Sequence, residues 1–415
     1  MRLASILRVL ACIACILFLG FAGAPRQAHA QRLAITGVRA YPAADAAPIE
    51  DAVILIDDGR IRAVGSSAVV PIPRDYRRID RPGAVALAGF WNSHVHLITP
   101  VLLRASTASD RELEDELSRA FTKWGFTTVF DLASTSAIAG EVESRVRSGR
   151  VRGPRILSVA APFYPSGATP VYARPFYEAF ALPSAEIASV GSAARRIRQQ
   201  VGRGADGIKL FTGSIVGGEQ GVVHMPLSTV TALAREARAQ GVPVFAHPTD
   251  REGLERAVQG GAHILAHAAP LMGAWTADYA RWIADAGVAM VPTLSLFELS
   301  PHPATPVDVA VAQVAALHQA GGTILFGTDA GFVDFFDTRA ELRLLASALG
   351  WRGVLDSLTT APARIFGESH RRGRIAPGFV ADLVLVDGDP AEDVENLARI
   401  RTVIKAGDIL HEEVR

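Results

Sequence analysis

Two imidazoles two residues apart are the first groups along this chain whose type and spacing suit chemistry. They are His94 and His96, in the run Gly89-Phe90-Trp91-Asn92-Ser93-His94-Val95-His96-Leu97. Alternate side chains of a strand share a face, so both rings can point at one metal ion. Alone, such a pair reads more readily as a polar strand end. Four more groups follow: Lys209 in Gly207-Ile208-Lys209-Leu210-Phe211, His247 in Val244-Phe245-Ala246-His247, His267 in Leu265-Ala266-His267, and Asp329 in Phe326-Gly327-Thr328-Asp329. The gaps from His96 onward are 113, 38, 20 and 62 residues. A βα unit takes ~30 residues or more, so they read as about three units, one, one and two. Each residue has a plain structural alternative: a surface lysine, hydrogen-bonded core histidines, a helix-capping aspartate. Lys209, however, stands among Ile208, Leu210 and Phe211 in a strand buried on both faces, where an unpaired ammonium is costly. Together, at the ends of separate strands, the six residues read as a metal site.

The elements that must position them alternate short β-branched runs with helical stretches, the pattern of repeated βα units and a parallel sheet. Eight runs are expected to be strands: Trp91 to Leu97, Thr127 to Leu132, Arg155 to Phe163, Gly207 to Gly213, Pro243 to Pro248, His263 to Ala269, Val288 to Leu296 and Thr323 to Gly327. Helical segments rich in Ala, Leu, Arg and Glu separate them, such as Ser228 to Ala239, which stops at Gly241-Val242-Pro243. Eight such units fit an α/β fold of the (β/α)8 TIM-barrel kind, whose usual size is ~250 residues, and put the ligands on strands one, four, five, six and eight. The longest insertion, Pro162 to Ser184, follows the third strand and is rich in Pro, Tyr and Phe. The flanks differ. Ala52 to Ile61 is a hairpin pattern with an Asp58-Gly59 turn, and Ala381 to Gly388 and Val403 to Leu410 repeat its texture. Residues 31–87 and 375–415 are therefore expected to form one small β-sandwich domain beside a barrel over residues 88–374.

Of the 415 residues, 49% are hydrophobic and 20% charged, a globular composition without a disordered or fibrous signature. Residues 1–30 read as a secretory signal: Arg2 and Arg8, an apolar stretch from Val9 to Ala24, and a small-X-small site at Ala28-His29-Ala30. The apolar stretch is short of the ~20 residues that span a bilayer, so cleavage before Gln31 and a periplasmic or secreted protein are expected. Cleavage removes both cysteines, Cys12 and Cys15, leaving metal binding to nitrogen and oxygen ligands. It also removes three arginines and no acid, so 42 basic residues become 39 against 42 acidic, a net charge of −3. That balance gives no reason to expect nucleic acid or a membrane surface as partner. A small-molecule substrate is expected, and a homo-oligomer is compatible with the sequence.

The ligand set resembles that of the amidohydrolase superfamily. Gly373-Arg374-Ile375-Ala376-Pro377-Gly378-Phe379-Val380-Ala381-Asp382-Leu383 is similar to that family's return from barrel to sandwich. Asp206 to Lys209 most resembles the branch related to imidazolonepropionase and bacterial Xaa-Pro dipeptidases. The resemblance implies that His94, His96 and Asp329 hold one divalent ion and His247 and His267 a second, with Lys209 bridging them as a carbamate formed with carbon dioxide. Zinc heads the candidates for such ligands. Hydrolysis of amide, dipeptide or cyclic-amide C–N bonds by a metal-bridging hydroxide would follow, with Asp329 moving the proton. A single-ion cyclic amidohydrolase, a lactonase or esterase, and a non-catalytic barrel are the alternatives.

His224, after strand four, and Tyr164 and Tyr172, in the insertion, are candidates to line the pocket mouth and bind substrate. Peptidase members tend to place a cationic or phenolic group after strand four to catch a substrate carboxylate. Thr212 to Val223 here contains no Arg, Lys or Tyr, which weighs against dipeptides. Trp91-Asn92 departs from the aliphatic residue and Asp common before the histidine pair, and predicts a change around the ligands without loss of metal. His263 is expected to be structural, and His302, His318, His370 and His411 to be solvated. Asp131 is expected either to support a ligand or to satisfy loop amides.

Overall fold

The computed structural model describes residues 32–300 and 305–413. The expected signal segment and His302 lie outside them. Between Phe90 and Asp329 the backbone forms two parallel sheets. One orders the first three strands, Phe90–Val95, Phe126–Asp131 and Arg155–Ser158. The other orders Ile208–Phe211, Val244–His247, Ile264–Leu265 and Ala289–Met290. Backbone hydrogen bonds link the two beyond the strands. Asp206 N donates to Ser158 O at 2.7 Å, Phe163 N to Lys209 O at 2.8 Å and Phe211 N to Phe163 O at 2.9 Å.

The eighth run, Thr323 to Gly327, makes a single bridge, at Ile324, instead of a strand. It nevertheless bonds to both sides: Met290 N donates to Thr323 O, Leu325 N to Met290 O and Ser93 N to Phe326 O. Three other runs end early, the sixth among them at Leu265. The third stops at Ser158, where Ala160 takes φ 59° and Pro162 supplies no donor. The seventh stops at Met290; Pro292 and Thr293 at φ 49° turn the chain, and Leu294–Leu299 is a helix, not strand as expected. Parallel strands buried on both faces explain the period-two partition of their side chains. Phe130, Phe245, Ile264, Ala289 and Leu325 pack together in one core cluster, while Val129, Val244, Ala246, Leu265 and Met290 pack in another that includes the helices.

Helices follow each strand or strand-like run, among them Asp110–Ala120, Ser136–Arg147, Val190–Gly202, Leu227–Ala239 and Arg251–Gln259. Local chemistry starts them. Ser109 and Glu112 form a reciprocal capping box, and Thr135 and Asp250 accept the first free N–H groups of their helices. The helix expected over Ser228 to Ala239 runs from Leu227 and ends before Gly241 at φ 73°.

Both chain ends share one eight-stranded sheet. Its order is Asp408–Glu412, Ile400–Lys405, Leu383–Asp387, Ala84–Ala88, Leu33–Ala40, Ile49–Asp57, Arg60–Ser66, with Arg77–Asp80 also on Leu33–Ala40. The Asp58-Gly59 turn closes its hairpin with positive φ at both residues, 49° and 68°. Leu383 and Leu385 face the sheet's own core, while Val384 and Val386 join the large cluster under the helices. The architecture is of the TIM-barrel α/β type with an accessory sheet, and no helix among the described residues is long and apolar enough to cross a membrane.

Candidate metal centre

His94 lies within the first strand and His96 just past it. Lys209 sits in the fourth strand, His247 ends the fifth, His267 follows the sixth by two residues, and Asp329 follows the strand-like eighth run. In a barrel of this type these C-terminal strand ends converge, and all six residues line one cavity of about 260 Å³. Nε2 of His94 and of His96 lie 3.1 and 2.6 Å from the same oxygen, Oδ1 of Asp329. Nε2 of His267 is 3.9 Å from the other carboxylate oxygen. The ring of His267 stacks on His94, centroids 4.4 Å apart, and meets His247 edge-on at 5.2 Å.

Close backbone approach makes this possible. Thr328 N and Asp329 N both donate to the carbonyl of His94, and Asn92 Nδ2 donates to Thr328 Oγ1 at 2.8 Å. Gly327 allows the approach: a Cβ there would stand 2.2 Å from Val291 Cγ1 and 2.8 Å from His94 Cβ. Asp329 is held at φ 59°, and Ala160, Thr249 and Thr293 take positive φ beyond strands three, five and seven. Such strain in non-glycine residues gathers where surrounding structure over-determines a functional geometry.

Electrostatics fit a cation. Burial lowers the His94 pKa to about 3, aided by Lys209 and opposed by Asp329, and burial holds His247 and His267 well below the usual imidazole range. These rings are therefore neutral electron-pair donors. Burial works against the Asp329 charge, but His94, His96 and His267 outweigh it and keep the carboxyl well below its ordinary range. Burial pulls Lys209 down to about 7, so a neutral amine is available at neutral pH. Among the described residues, His94, His96 and Asp329 form a group whose ligand atoms lie within 4.8 Å of one another. The Nδ1 atoms of His94 and His96 are buried without hydrogen-bond partners. Three ligand atoms aimed at one point, two of them imidazole nitrogens and one a carboxylate oxygen, suit a divalent ion.

The other expected residues divide. Tyr164 and Tyr172 line the cavity. His224 does not: its Nε2 lies 2.8 Å from Asp250, the cap of the helix Arg251–Gln259, and its Nδ1 3.5 Å from Glu252. The hairpin of Gly213–Gly217 and Gly221–His224 carries it to that cap. Asp131 accepts from Leu97 N, Ala133 N and the hydroxyls of Ser134 and Ser158, so it satisfies loop groups. His263 accepts from Val244 N, a structural role, and His318 and His370 are exposed. His411 is half-buried, not solvated as expected, because it packs within the edge strand Asp408–Glu412; burial lowers its pKa.

Sequence reasoning missed Thr293, whose Oγ1 lies 2.5 Å from His267 Nδ1, and Glu341, whose buried carboxylate accepts from Leu294 N at 3.0 Å and Ser295 N at 2.6 Å. Neither has a local signature, since each acts across 26 to 47 residues of chain.

Known proteins resemble this chain in sequence and fold. The chain is 24% identical over 406 residues to ochratoxinase of Aspergillus niger, covering 85% of this chain and 80% of that protein. A solved amidohydrolase superimposes with a TM-score of 0.76 at 25% identity, over 93% of this chain and all of that one. A Xaa-Pro dipeptidase crystallised with methionine in its active site superimposes with a TM-score of 0.77 at 22% identity, over 92% of this chain and all of that one. The amidohydrolase family model matches residues 85–410, which spans the strands and loops bearing all six converging residues, and the chain belongs to that family.

Proposed function

We propose that this protein hydrolyses C–N bonds of amides or cyclic amides at a centre of two divalent ions, with zinc heading the candidates. His94, His96 and Asp329 would hold one ion, His247 and His267 the other, and Lys209 would bridge them as a carbamate. The convergence of two imidazole Nε2 atoms on one Asp329 oxygen inside a cavity carries the reading. When bound, such ions supply Lewis acidity and activated water at neutral pH. The chain's own residues do the rest. Asp329 stays ionised, accepts a proton from the attacking water and passes it to the departing nitrogen as the water oxygen joins the acyl carbon and the C–N bond breaks. Lys209, whose amine burial keeps partly neutral, can add carbon dioxide, forming an N–C bond and releasing a proton.

A second reading has one observation in its favour: only His94, His96 and Asp329 form the tight group among the described residues. It is a single-ion enzyme with Lys209 uncarboxylated, suited to opening a cyclic amide. Metal analysis separates the two. Two ions per chain, with Lys209→Ala retaining at most one and losing on the order of 100-fold or more in kcat/KM, support the first. One ion per chain with an active Lys209→Ala supports the second.

We also read the eight parallel runs as a closed barrel over residues 88–374, and residues 31–87 with 375–415 as its β-sandwich companion. The bonds of Thr323 to Gly327 to both neighbours support closure. An experimental structure with that ladder open would count against it. Export with cleavage before Gln31 rests on the sequence pattern, and N-terminal sequencing of protein from the periplasm or medium tests it.

A further inference from the structure

The wall of the cavity suggests what enters it. Apart from the six converging residues, its described lining carries no charged side chain. Two aromatic series run outward from the centre. On one side the ring of Phe211 stacks on His247, centroids 4.4 Å apart and planes 18° apart. Tyr164 meets Phe211 edge-on at 4.7 Å, and Tyr177 meets Tyr164 at 5.9 Å. On the other side Phe332 stands 6.2 Å from His96 at 62°, and Tyr172 stands 5.4 Å from Phe332 at 70°. Tyr164, Tyr172 and Tyr177 come from the Pro-, Tyr- and Phe-rich insertion after the third strand. The hydroxyls of Tyr164 and Tyr177 bond to each other, so these two phenols are already engaged. The fourth-strand hairpin adds only Ile215 to the lining, and His224 is turned away to Asp250.

We infer that the substrate is an uncharged amide bearing an aryl group next to the scissile C–N bond, and that amides with a free carboxylate are selected against. This rests on the C–N hydrolase reading above. Edge-to-face contacts reward a planar ring beyond the area it buries, because its positive edge meets a negative face. A carboxylate entering the same space would lose its hydration and find no cationic side chain on the described lining outside the metal centre, to which Lys209 belongs; Arg196, beside Tyr164 and Tyr177, donates instead to the carbonyls of Pro162 and Ala185. Phe332 is 45% exposed, so its ring stands at the mouth, where an incoming aryl group would cover it, while Tyr172 beside it turns its buried hydroxyl toward Asp329.

The test uses metal-replete protein and four amides: N-benzylacetamide, its para-carboxylate, its para-carboxamide and N-(cyclohexylmethyl)acetamide. The carboxamide should exceed the carboxylate in kcat/KM by about 50-fold. The benzyl compound should exceed the cyclohexylmethyl compound by about 5-fold. Phe332→Leu, which keeps the mouth apolar, should bring the second ratio close to one, chiefly through KM; simple destabilisation would lower both rates and leave the ratio. A carboxylate handled as well as the carboxamide, or a benzyl ratio near one in the unaltered protein, overturns the inference while leaving the hydrolase reading intact. If none of the four is turned over, calorimetry on the same protein decides. Binding that favours the neutral aryl amides keeps the inference and counts against the hydrolase reading. Absence of binding overturns the inference.

Discussion

The hydroxyl of Thr293 reaches Nδ1 of His267, while its own backbone is held at φ 49°, a conformation that costs a β-branched residue about 1–3 kcal/mol. The contact fixes which imidazole nitrogen faces the centre, and partners of this kind govern ligand basicity and ring orientation. Thr293→Val keeps the branching and the backbone strain but removes the oxygen. It is expected to lower kcat/KM or metal affinity by roughly 10–100-fold, and Thr293→Ser to recover most of that loss. Kinetics and metal analysis on the three proteins check this; a fully active Val variant would mean that the ring is oriented by packing alone. At this scale the sequence was most readable where one residue does one job. His94, His96, Lys209, His247, His267 and Asp329 stand in or just past apolar strands with little local reason to be there. His224, expected at the pocket mouth, is carried to Asp250 by a hairpin that spacing does not reveal.

The loop and helix after the seventh strand show how an element is pinned. The first N–H groups of Leu294–Leu299 point at the buried carboxylate of Glu341, which enters from the helix Arg339–Leu358. Thr293 is the residue immediately before, so this clamp also sets the contact to His267. Burial, opposed by the two backbone donors, raises the Glu341 pKa from 4.5 to about 7. Between those values the folded chain keeps a proton that the unfolded chain has released. Stability from this group is therefore full below about pH 4.5 and declines as pH rises to about 7. Glu341→Gln removes that titration but turns an amide N–H toward a backbone donor, a loss of about 1–3 kcal/mol. Thermal melts at pH 5 and pH 8 are expected to show the variant below the parent at pH 5, with a smaller deficit at pH 8. An equal deficit at both would show that Glu341 titrates alike in the folded and unfolded chains.

For the whole molecule, the sheet built from both chain ends closes the structure against its own beginning. Leu383–Asp387 pairs in register with Ala84–Ala88, which leads directly into the strand bearing His94. Arg372 joins Glu368 and Asp382, and Arg155 reaches Glu368 at 2.6 Å, tying the return segment to the third strand. Deleting residues 383–415 removes three strands and leaves Val85, Leu87 and the faces of Leu33–Ala40 uncovered. The truncated protein is expected to be insoluble or to unfold without a cooperative transition, which solubility and circular-dichroism melts read directly. A soluble, cooperative and metal-binding truncation would show that the parallel strands and their helices fold alone.

The order of strands and helices, the pairing of the two chain ends and the six converging residues were legible because each leaves a periodic or compositional mark. Alternation reports burial, helix caps report starts, and polar residues at apolar strand ends report a site. Strand limits were less legible: the third, sixth and seventh runs ended early, the third and seventh before Pro162, Pro292 and residues of positive φ, and the eighth became a single bridge. Those outcomes depend on what packs against the backbone, as Val291 and His94 do against Gly327. The roles of Thr293 and Glu341, the turning away of His224 and the aromatic lining of the cavity were set only in three dimensions. Each joins groups far apart in sequence, and no local propensity encodes a contact whose partner lies on another element.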